Sequence, residues 1–78
     1  MTTIGMRQMK ENQTGTITSI VTDGELGRRI RDMGLVPGTK IQIMGRAPLL
    51  DPVAVRAMGF TLSLRNNEAD YIVIDVEE

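Results

Sequence analysis

Seventy-eight residues carry nine Lys and Arg against ten Asp and Glu, a net charge of −1, with no histidine and no cysteine. That balance gives no bulk attraction to nucleic acid or an anionic bilayer, and the missing imidazoles and thiolates remove the usual ligands for zinc, copper or ferrous iron and any disulfide. The length suits one domain, residues 1–78, and no apolar run approaches the ~20 residues that cross a bilayer, so the expectation is a soluble cytoplasmic module with no cofactor.

The first clear element is Gly15-Thr-Ile-Thr-Ser-Ile-Val21, a β-branched run bounded by Gly15 and Asp23-Gly24. Its alternation slips, because Ile17 and Val21 share one parity and Ile20 has the other. Either both faces are partly covered or a bulge shifts the phase.

A short helix over about 23–34 follows. Asp23 is placed to cap it, Leu26, Ile30 and Met33 recur at helical spacing, and Gly34 stands where a left-handed residue ends a helix. Pro37-Gly38 suits the centre of a type II turn, with Pro setting one dihedral and Gly supplying the positive φ. Arg28, Arg29 and Arg31 crowd the polar side of the helix. They read either as a solvated face, partly neutralised by Glu25 and Asp32, or as a contact face for an acidic partner.

Lys40 to Met44 alternates as a half-buried strand, and Gly45 to Pro52 reads as a connecting loop that exposes Leu49 and Leu50. Two strands joined by a tight turn near Gly59 come next, with Val53, Val55 and Ala57 on one core face and Phe60, Leu62 and Leu64 on another. Asn66 to Asp70 has the chemistry of a one-turn helix, and Tyr71 to Val76 is the last strand. The expected fold is mainly β: a small, five-stranded, partly open barrel with the short helix across one mouth and methionine as core filler.

Catalysis finds little to work with. Ser19 and Ser63 have no histidine to activate them, and the carboxylates are expected at scattered surface positions. The glycines lack the lysine-serine or lysine-threonine ending of a phosphate loop, so no catalytic or metal-ligating residue is assigned. With Phe60 and Tyr71 as the only aromatics and Phe60 expected inside, no stacking surface for nucleic acid is available. A binding module remains, equipped with an arginine-bearing helix and an apolar loop.

Three ordered blocks carry a resemblance. Ile30-Arg-Asp-Met-Gly-Leu-Val-Pro-Gly38, Ala47-Pro-Leu-Leu-Asp-Pro-Val53, and Leu62-Ser-Leu-Arg65 with Glu68-Ala69 and Ile72-Val-Ile74 are similar to the FeoA family, the small cytosolic component of bacterial ferrous iron uptake. The likeness runs from about Met6 to Val76. It implies an SH3-like barrel with a helical insert, acting as accessory partner of FeoB, the permease with a cytosolic GTP-binding domain, through which the iron itself passes. Transition-metal binding attaches to the family at large, and no residue here is assigned to it.

By position, Arg29, Gly34, Leu35, Pro37 and Gly38 match the family's helix-and-turn motif and Pro48, Leu49, Asp51 and Pro52 its loop motif; Leu26, Ile30, Gly34, Leu35, Pro37, Gly38, Asp51 and Pro52 are expected to be structural. Partner contact is expected from Arg28, Arg29 and Arg31 or from Leu49 and Leu50. Leu50 stands where the family usually has glycine, which changes the loop's path and makes a tip that favours weak self-association. Two other readings stay open. The same barrel resembles the C-terminal domain of iron-dependent transcriptional repressors, and an inserted arginine such as Arg29 would make the chain an activator of partner GTP hydrolysis.

Overall fold

The computed structural model describes residues 2–22, 24–46 and 52–76, with the backbone alone at residue 46. In chain order these form β1 (Thr2–Gly5), a 3-10 turn (Met6–Gln8), β2 (Thr14–Ile20), α1 (Gly24–Asp32), β3 (Lys40–Arg46), β4 (Val53–Ala57), β5 (Phe60–Leu64), α2 (Asn66–Ala69) and β6 (Ile72–Val76). The strands make one antiparallel sheet in the order β1-β6-β2-β3-β4-β5, six rather than the five expected. The additional strand is β1, which pairs Thr2 to Gly5 with Val76 to Val73 at the far end of the chain.

Curling this sheet buries Met6, Ile17, Ile30, Leu35, Ile43, Val53, Val55, Leu64, Ile72 and Ile74 completely or nearly so. Inward positions follow period two along β4 and β6, as their apolar alternation requires. In β2 the phase slip is a bulge. Ile17 pairs with Ile74 and Ser19 with Val73, leaving Thr18 as the extra residue, and its hydroxyl donates to the Val73 carbonyl at 3.2 Å. Below the bulge Ile17 is buried and above it Ile20 packs on the core, while Val21 is exposed.

Helix α1 is inserted between β2 and β3 and lays Leu26, Ile30 and Met33 on the core. Its stop is a double hydrogen bond: the Gly34 amide donates to the Arg31 carbonyl at 2.9 Å and the Leu35 amide to the Ile30 carbonyl at 3.3 Å. Gly34 adopts φ +89, the left-handed geometry this motif requires, and Leu35 and Ile30 meet in the core. The Pro37-Gly38 turn closes with the Thr39 amide donating to the Val36 carbonyl at 3.1 Å and φ +95 at Gly38. The turn is stitched to β2, since Ile17 donates to Thr39 and accepts from Gly38.

Three sequence expectations need adjustment. Strand β3 runs on to Arg46 through a second bulge between Ile43 and Gly45, so the connecting loop is shorter than Gly45 to Pro52. Phe60 shares the parity of Leu62 and Leu64 but is 69% exposed, because it starts an edge strand beyond the reach of the core. Met6 and Met9 are core residues and Met33 is partly buried against the core, whereas Met44 and Met58 are exposed.

Candidate partner-binding site

The arginines of α1 are not equivalent. On a helix of 3.6 residues per turn, Arg28 stands roughly 160° around the axis from Ile30 with Arg31 beside it, both turned away from the core face of Leu26, Ile30 and Met33, while Arg29 lies on the other flank, nearer that face. All three are exposed, but Arg29 reaches α2 and pairs with Glu68 at 3.6 Å. Neither Arg28 nor Arg31 forms an ion pair with a described residue. The exposed Glu25 and Asp32 lie on the same helix, so the face is basic locally and mixed at its rim.

Glu68, like Phe60, lies where sequence reasoning did not place it. It was expected on the surface with the other carboxylates, yet it is only 8% exposed. Its Oε1 accepts from the Arg65 amide at 3.0 Å, supplying one of the partners that the first turn of α2 lacks, and its Oε2 faces Arg29. One carboxylate therefore ties α1 to α2. The local signal was weak because Arg65 stands where a Ser or Thr would announce a capping box. The second ion pair, Arg7 with Asp70 at 3.1 Å, fastens the N-terminal turn to the end of α2 at an exposed position.

Leu49, Leu50 and Asp51, and Asp23, the expected cap of α1, lie outside the described residues. What the structure gives is the frame of that loop: Arg46 pairs with Val53, so residues 47–52 connect directly paired strands, and Pro52 is half-buried at a bend. Of the structural motif, Ile30 and Leu35 are fully buried, Leu26 packs on the core, and Pro37 is exposed at its turn. Among the described residues no group of three or more acidic side chains is arranged to hold a metal ion. No helix among them is long and apolar enough to cross a membrane.

These features define a small β-barrel with a helix inserted between its second and third strands. Comparison with known proteins gives the family: residues 4–76 match the FeoA domain, and the chain belongs to that family. It is 35% identical over 72 residues to an Fe(2+) transport protein A/Fe(2+) transporter FeoB fusion protein of Porphyromonas gingivalis, an alignment covering 88% of this chain. The chain spans only 8% of that relative's length.

Among solved structures, a FeoA-like protein from Clostridium acetobutylicum superposes with a TM-score of 0.91 at 40% identity, covering 100% of this chain and 92% of that one. A manganese-dependent transcriptional repressor superposes with a TM-score of 0.87 over 96% of this chain and 42% of its own, at 17% identity. That last likeness is one of fold. The barrel is SH3-like, as in the family's solved members, and the family associates the chain with ferrous iron transport.

Proposed function

We propose that this domain is a cytoplasmic, non-enzymatic accessory of ferrous iron uptake that binds the FeoB permease through the outer face of α1 and modulates transport, the iron passing through the partner. The observation that carries this reading is the relative in which a homologous segment and FeoB are one polypeptide, a covalent form of the association proposed here. Chemistry agrees with it. A chain without His or Cys offers no strong ligand for ferrous iron, whereas Arg28 and Arg31 are exposed, adjacent and without an ion pair among the described residues. Arg29 serves the fold through Glu68, which argues against its use as an inserted finger.

The test immobilises the chain and passes detergent-solubilised FeoB of the same organism over it. Retention is expected, weakening as salt rises from about 50 to about 500 mM because exposed charges are screened, and abolished by Arg28→Ala with Arg31→Ala. Loss instead in a Leu49→Ser, Leu50→Ser variant moves the contact to the loop. No retention of FeoB by any form, with GTP or GDP present, overturns the reading.

A further inference from the structure

We propose that the outer edge of β5 pairs antiparallel with the same strand of a second copy, giving a weak two-fold dimer. Strand β5 is the last of the sheet, joined to β4 alone and without a register shift, in contrast to the bulged β2 and β3. The β4–β5 connection is a two-residue turn with positive φ at both Met58 (52) and Gly59 (82). In such a hairpin the flanking pair, here Ala57 and Phe60, exchanges both backbone hydrogen bonds. Alternation then directs the amides and carbonyls of Phe60, Leu62 and Leu64 towards β4 and those of Thr61 and Ser63 outwards. No described backbone group bonds to Thr61 or Ser63 from that side.

Edge strands of monomeric proteins are ordinarily protected by charge, proline or a bulge. Phe60-Thr-Leu-Ser-Leu64 has none of these, and at its start Met58 and Phe60 are 61% and 69% exposed. A two-fold axis at Leu62 satisfies the edge with its own copy. Thr61 exchanges two backbone bonds with Ser63 of the second copy, and the symmetric pair brings the total to four. Phe60 falls in register with Leu64 of the second copy, whose side chain stays in its own core, and Arg65 falls opposite Gly59, so no like charges meet. The contact is only five residues long. It therefore belongs with small, transient interfaces and forms at high local concentration, independently of the proposed permease contact.

Two matched double variants test the register itself. Thr61 and Ser63 are exposed, so Lys or Glu there leaves the core untouched. In the proposed dimer position 61 faces position 63 of the other copy: Thr61→Lys with Ser63→Glu sets opposite charges across the axis, and Thr61→Lys with Ser63→Lys sets like charges. By sedimentation equilibrium up to about 1 mM chain, the wild type is expected to dimerise, and the Lys/Glu variant to do so about tenfold or more tightly than the Lys/Lys variant. Exchange of the Thr61 and Ser63 amides with solvent should slow as the wild-type concentration rises. A wild type that stays monomeric at 1 mM overturns the proposal. So does a dimer for which both double variants give the same constant, which would place self-association elsewhere, as on the Leu49-Leu50 tip.

Discussion

Replacing Glu68 separates the two jobs its carboxylate performs. Gln at this position can still accept from the Arg65 amide through its side-chain oxygen but no longer attracts Arg29, and that pair, with Arg29 66% exposed on its side chain, is screened by water. Glu68→Gln is therefore expected to cost under about 1 kcal/mol and to match Arg29→Ala. Glu68→Ala also removes the acceptor from the first turn of α2 and should cost about 1–2 kcal/mol. Urea denaturation of the three variants decides it: equal losses for Gln and Ala would show that the ion pair, and not the cap, carries the residue's contribution. Glu68 stood in the sequence only as part of a matched block, without a role, since Arg29 is 39 positions away and only folding brings the two together.

At the scale of elements, what could be read in advance is what is local. The α1 stop and the turn after it are written in Gly34, Leu35, Pro37 and Gly38, each next to the atoms it bonds, and the structure reproduces both. The β2 phase slip signalled trouble without locating it, because the bulge at Thr18 depends on β6, more than fifty residues on. Phe60 had the correct parity, but parity does not report how far the core extends along a strand. The arginine cluster was visible as composition, while its division into Arg29, held by α2, and Arg28 and Arg31, without an ion pair among the described residues, required the fold. Alanine at Gly34 or Gly38 must hold a left-handed backbone against its own Cβ. Each is expected to cost about 1–2 kcal/mol in urea midpoint experiments, and a loss near zero at either would mean that the turn relaxes to another geometry.

On the scale of the whole molecule, the first and last strands are built into one unit. Strand β6 lies between β1 and β2, so the sheet that contains the last residues is completed by the first ones. The turn after β1 sends Met6 and Met9, 0% and 3% exposed, into the core. Burying either thioether contributes on the order of 2–5 kcal/mol by comparison with Met to Ala changes in other cores, against a total stability of about 4–12 kcal/mol for a chain of this length. Met6→Ala should therefore lower the melting temperature by on the order of 10 °C or more, since 1 kcal/mol shifts the midpoint of a domain of this size by about 4–8 °C. Met44→Ala and Met58→Ala, at exposed positions, should shift it little. A chain starting at Lys10 loses both methionines and exposes the β6 edge, so it is expected to show no cooperative thermal unfolding. A truncated chain that still melts cooperatively would show that β2 to β6 suffice as a barrel, leaving β1 as a cover strand rather than part of the folding unit.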